Sequence, residues 1–94
     1  MWRVDHATEE ERVAVCLKIK TAFESLAGRI PGLKSIQIGF DISRIDYASD
    51  VVLFSEFADQ SSLTAYAVHP EHLRVRTELA GLRTDARQVD YEFS

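Results

Sequence analysis

The chain holds only one cysteine, two prolines, four glycines and one tryptophan in 94 residues. A lone thiol closes no internal disulfide and supplies no Cys-based zinc cage, so neither staple is available to a domain of this small size. Cys16 falls inside an apolar helical pattern, where a small buried thiol is far commoner than a nucleophile, and a reducing cytoplasm is the expected compartment. Runs of Lys or Arg are also missing. The densest basic stretch, Arg74, Arg76, Arg83 and Arg87, is diluted by Glu71, Glu78 and Asp85, and the formal net charge is -4. Phosphate backbones and anionic lipid surfaces demand clustered positive charge, so neither nucleic acid nor membrane is an expected partner. The apolar runs are too short to span a bilayer, and no basic-then-apolar leader opens the chain. The glycines are isolated, which excludes a phosphate-cradling loop. Asp5 and His6 followed by Glu9 and Glu10 lack metal-ligand spacing and read as a charged helix start. No metal and no cofactor is expected.

What is present is the composition of one ordinary globular domain over residues 1–94, with 46% hydrophobic and 28% charged residues. Thr8 followed by three glutamates reads as an N-cap with its capping-box partner. From there Cys16, Ile19, Phe23, Leu26 and Ile30 recur at helical steps, widened by Val15 and Ala22, while Arg12, Lys18, Glu24 and Ser25 fall off the stripe. Gly28 and Pro31 end this helix near residue 27. Residues 34–42 alternate strictly, with Ile36, Ile38, Phe40 and Ile42 on one side, which predicts a half-buried strand. Residues 51–57 are apolar on both alternation sets and predict a strand covered on both faces.

Asp59 is a cap for a second helix carrying Leu63, Tyr66 and Ala67, and Pro70 both closes it and suits the first position of another. That third helix carries Leu73, Val75, Leu79 and Leu82. Residues 87–93 alternate again and predict a final strand, and residues 1–4 a short first one. The order is strand, helix, two strands, helix segment, strand: an α+β, ferredoxin-like βαββαβ protomer with a four-stranded antiparallel sheet. Its helices cover one sheet face only. The other face is partly apolar, and a second copy is the simplest cover, giving a homodimer through the open face.

With these elements in place, Ile30, Pro31, Gly32 and Leu33, then Tyr47 through the strand 51–57, then Tyr66, Ala67, Val68, His69, Pro70, Glu71 and His72, and finally Val89, Asp90, Tyr91 and Glu92, resemble the stress-responsive dimeric α/β barrel (Dabb) domain family. The likeness runs over nearly the whole chain, and Tyr-x-x-His-Pro-x-His is its most specific segment. It implies a ferredoxin-like protomer and a homodimeric barrel. Members of the family include stress-induced proteins and a few cofactor-free polyketide cyclases; antibiotic-biosynthesis monooxygenases share the barrel more distantly. Family members usually carry a longer first strand with a histidine. Here Met1, Trp2, Arg3 and Val4 match only its second half, so either the reading frame opens upstream or the strand is a stub, and His6 falls in the loop beyond it. Some members hold a cation on backbone carbonyls where the first helix unwinds, which corresponds to Ala27, Ile30 and Leu33.

The resemblance implies that His72 acts as general base and Tyr66 as the oxyanion-stabilising phenol in an aldol-type ring closure, with His69, His72 and Tyr66 around a ligand. Such chemistry needs a proton acceptor near neutral pKa and a phenol donor in an apolar pocket. A histidine at a helix N-terminus is expected to stay neutral because of the macrodipole. The structural alternative is that His69 caps a helix, His72 is a satisfied core histidine and Tyr66 a core aromatic with its hydroxyl at the surface. Two functions therefore stand: a stress-type barrel that binds an apolar or aromatic small molecule, and a cofactor-independent polyketide cyclase or monooxygenase-like enzyme. A pocket of roughly 300 Å³ or more on which His72 and Tyr66 converge favours a ligand site; a filled interior favours a structural role.

Overall fold

The computed structural model describes residues 1–4 and 8–92. Asp5, His6 and Phe93, each part of an expectation above, lie outside the described residues. The elements run β1 (Arg3–Val4), α1 (Glu9–Glu24), β2 (Leu33–Phe40), β3 (Val51–Phe57), α2 (Gln60–Ala67), α3 (Pro70–Glu78) and β4 (Arg83–Thr84). Each helix start has its expected cap. The Thr8 hydroxyl accepts from the Glu11 N–H, the Asp59 carboxylate from the Ser62 N–H, and Pro70 occupies the first turn of α3. After α1 the chain unwinds through turns with Gly28 at φ 78° and Gly32 at φ 80°, where a side chain on Gly32 would also overlap that of Ser62. Of the carbonyls implied as a cation site, that of Ile30 already accepts from the Leu33 N–H at 3.2 Å.

Strands β2 and β3 form an antiparallel ladder, and β1 pairs antiparallel with β4. The two ladders are joined by a single bridge, Trp2 to Val51. The spatial order is thus β4, β1, β3, β2, the antiparallel order of a ferredoxin-like sheet. Register places Ile38 beside Leu53 under the helices and Phe40 beside buried Val51, but Phe40, expected on the buried side, is itself exposed; Val52 and Phe54 stand exposed on the open face opposite Gly39 and Gln37. The core is built from Cys16, Ile19, Phe23 and Leu26 of α1 and Val75 with Leu79 from the α3 side. They close on Val4, Ile38 and Val51 of the sheet.

Three expectations need correction. The final strand is Arg83–Thr84 and not residues 87–93; among the described residues, 88–92 join no strand. The reason lies in the register. Thr84 faces Arg3, and Arg87 exchanges two 2.9 Å backbone hydrogen bonds with Met1, so Asp85 and Ala86 together oppose Trp2 in a bulge, with Asp85 at φ 50°. The alternating segment therefore meets Met1 at its first residue, and residues 88–92 run past that position. Ile42, placed on the buried side of the second strand, is almost fully exposed. The ladder ends at Phe40 because the Asp41 carboxylate accepts from the Ser43 and Arg44 N–H groups and turns the chain away. Arg12, read as lying off the apolar stripe, is buried. It stands one turn before Cys16 and shares its face.

Candidate functional site

The bend between α2 and α3 carries the histidines. Val68 ends α2, His69 takes an extended backbone before Pro70, and its Nδ1 accepts from the Glu71 N–H at 3.1 Å. His69 is therefore a helix cap, as the structural alternative held, and its imidazole is turned to its own helix. Tyr66 and His72 are brought together across the bend. Tyr66 is buried, its ring centroid lying 4.3 Å from that of His72 and 5.1 Å from that of Phe57. The Tyr66 hydroxyl is not at the surface: it is enclosed and has no hydrogen-bond partner among the described residues.

His72 is half-buried with Nδ1 3.2 Å from the Ala67 carbonyl oxygen. A carbonyl only accepts, so Nδ1 carries the proton and the neutral ring keeps its lone pair on Nε2. Burial pulls the His72 pKa below its ordinary value of 6.5; the Ala67 bond opposes the shift and the cations Arg76 and Arg83 add to it. Loss of hydration, rather than the helix dipole, is the leading cause. Burial likewise pushes the Tyr66 phenol up to about 12, against the pull of Arg83. The pair at neutral pH is a neutral base and a protonated donor.

Two further polar residues belong to the interior, and neither was singled out from the sequence. Arg83 pairs with Val4 and lays its guanidinium 4.4 Å over the Trp2 ring and 5.1 Å from the Phe23 ring, with Nη1 enclosed and without a partner among the described residues. A two-residue strand leaves no periodicity from which its direction can be read. Asp50 is buried by the first turn of α1, 4.0 Å from Arg12, where it accepts from the Val4 N–H at 2.8 Å and from Arg44 at 3.0 Å. Surface cavities include one of about 350 Å³ along α1, lined by Leu17, Lys18, Thr21, Ala22, Glu78 and Leu79, and one of about 290 Å³ against Met1, Phe40 and Val52. Neither reaches Tyr66 or His72, whose rings lie against each other, so neither is the pocket on which these two side chains were expected to converge. Among the described residues no group of three His, Cys, Asp or Glu converges as a metal site, and no helix is long and apolar enough to cross a membrane.

Comparison with known proteins adds a family and a fold. Residues 1–93 match the model of the stress responsive A/B barrel domain. Over 40 residues the chain is 42% identical to the stress-response A/B barrel domain-containing protein DABB1 of Arabidopsis thaliana, a match covering 43% of this chain but only 19% of that protein. A dimeric protein of unknown function and ferredoxin-like fold from Bacteroides fragilis superposes with TM-score 0.81 at 30% identity, covering 98% of this chain and 89% of its own. A dimeric ferredoxin-like protein of unknown function from Thermobifida fusca superposes with TM-score 0.70 at 22% identity over 90% and 77% of the two chains.

Proposed function

Because the chain belongs to the stress-responsive A/B barrel domain family, we propose that it works as a homodimeric barrel whose Tyr66 and His72 face a small aromatic or apolar ligand. The observation that carries this reading is the contact of the Tyr66 and His72 rings, tilted 37° to each other, with His72 fixed in one tautomer by Ala67. The dimer is supported by exposed Val52 and Phe54 on the uncovered sheet face, apolar groups that a second copy would remove from water. Similar structures described as dimeric support it as well. Sedimentation should return about twice the 10.6 kDa chain mass, and a persistent monomer at micromolar concentration contradicts the barrel. Titration with 1-naphthol, a neutral aromatic probe, should shift the side-chain NMR signals of His72 and Tyr66; a titration that leaves both unmoved contradicts the ligand site.

A second reading is supported by the same tautomer. In this reading His72 Nε2 takes a proton from the carbon between two carbonyls, and the resulting carbanion attacks a second carbonyl of the same molecule. The Tyr66 hydroxyl, kept protonated with its pKa near 12, donates to the oxygen that becomes negative. This is an aldol-type cyclisation without a cofactor. His72→Gln should abolish turnover of a linear poly-β-ketone while Tyr66→Phe slows it by about a hundredfold, the usual effect of one oxyanion donor.

A further inference from the structure

Helix α1 is apolar on two sides. Its buried side carries Cys16, Ile19 and Phe23, while the opposite side, which a helix packed on a sheet normally gives to charged residues, carries Val13, Ala14, Leu17 and Thr21. Val13 is 43% and Leu17 50% exposed, so two branched side chains stand in water one turn apart. An open groove of about 350 Å³ runs beside Leu17 between α1 and the end of α3, with Lys18 on its wall. Other charges of α1 are engaged within the chain: Glu9 binds Arg12 and Glu24 binds Lys20. The side chains of Glu10 and Lys18, about two turns apart on the outer side, have no partner among the described residues.

We propose that this outer side of α1 is a contact between copies of the chain, with α1 lying antiparallel on α1 of a second copy about a two-fold axis near Ala14. The face is complementary to itself in that orientation. Ala14 lies midway between Glu10 and Lys18, so the two-fold sets Glu10 of each copy against Lys18 of the other, twice in one contact. A parallel pairing would set glutamate on glutamate and lysine on lysine. The methyl side chain at the midpoint lets the helix axes close to about 8 Å, and Val13 of one copy then lies over Leu17 of the other. The acidic first turn of the second α1, which holds Glu9, Glu10 and Glu11, reaches the groove at Lys18. Exposed Val52 and Phe54 stand on the sheet face that the helices leave open, so the α1 contact is separate from the barrel dimer and does not rest on it. Together the two contacts join dimers into assemblies of four copies or more. One helix pair buries less area than a standard interface, and the association is therefore weak and concentration-dependent.

Sedimentation velocity of the full chain from about 1 to about 200 μM tests the contact. The mass should at least double over that range, reaching about four times the 10.6 kDa chain mass where the barrel dimer is the starting species. Leu17→Lys places a charge at a position already half exposed and leaves the core untouched. It should weaken the concentration-dependent step at least about tenfold and halve the mass at the top of the range. Lys18→Glu and Glu10→Lys should each weaken the step severalfold, and an equimolar mixture of the two should restore it, because mixed pairs set opposite charges at both ends of the contact. The halving is read whether or not the barrel dimer forms, from four copies to two where it does and from two to one where it does not, so the two readings fail separately. A mass that stays constant across the range overturns the inference. So does a larger assembly that Leu17→Lys leaves intact, since another surface would then hold it. A mixture of the two charge variants that associates no better than either alone overturns the antiparallel pairing.

Discussion

Arg12 and Arg83 both carry a guanidinium into this small domain, beside the first and the last turn of α1 and in opposite company. Arg12 donates to both carboxylate oxygens of Glu9 at 2.6–3.0 Å and lies 4.0 Å from Asp50. Asp50 in turn accepts from the Val4 N–H and from Arg44, so one small network fastens α1, β1 and the loop before β3. At the other end Arg83 and Tyr66 are enclosed with atoms that bond to nothing among the described residues. The first arrangement offsets the loss of hydration with directed bonds; the second leaves that loss standing. The contrast separates a part of the interior that holds the fold together from a part whose polar groups are held at a cost to it. Such costs collect where a protein binds or reacts.

The sharpest test of the contrast is at the fastened end. Asp50→Ala removes the acceptor of the Val4 N–H and the acid shared by Arg12 and Arg44, and should cost about 3 kcal/mol. At fixed protein concentration that is a melting temperature lower by roughly 12–20 °C for a domain of this size. A change below roughly 3 °C would mean the network fastens nothing. The other end should respond in the opposite direction. Tyr66→Phe removes an enclosed hydroxyl without a partner and should stabilise the fold by about 1 kcal/mol in denaturant unfolding; destabilisation would show that the hydroxyl is satisfied in solution.

A smaller effect follows from His72. Its folded-state pKa is depressed by burial below 6.5, so the unfolded chain takes up the proton first as pH falls. Its contribution to stability is therefore full above pH 6.5 and is lost as pH drops below that value, until the folded imidazole also protonates. Melting temperatures of the protein and of His72→Gln should diverge least at pH 5 and most near pH 7.5. A difference that does not change over that range would mean the histidine is not desolvated.

Much of this was legible in the sequence, for definite reasons. Helix caps and breakers act locally, so Thr8, Asp59 and Pro70 declared three helix starts. The spacing of Tyr66 and His72 across a proline bend was enough to bring their rings together. Position in a sheet is a property of two chain segments, and there the reading went astray. The alternation of residues 87–93 is genuine, but a strand forms only opposite a partner, and the register sets Arg87 opposite Met1 with residues 88–92 past that position. Ile42 fits the period of β2 yet falls after the turn that Asp41 makes. Arg12 was set aside by residue type, although its place one turn before Cys16 puts it on the buried face. The side on which Arg83 falls is set by its pairing with Val4, and no local pattern carries that.

The measurement closest to the central claim is the stability of Arg83→Met. Methionine keeps the length and apolar bulk of the side chain and removes the charge, and replacing a half-buried charge that has no acid among its described partners by an apolar group should be close to neutral. The account predicts a melting temperature equal to or above that of the unaltered protein. A fall of roughly 10 °C or more would show that Arg83 fastens the fold as Arg12 does, and would contradict the division of the interior drawn here.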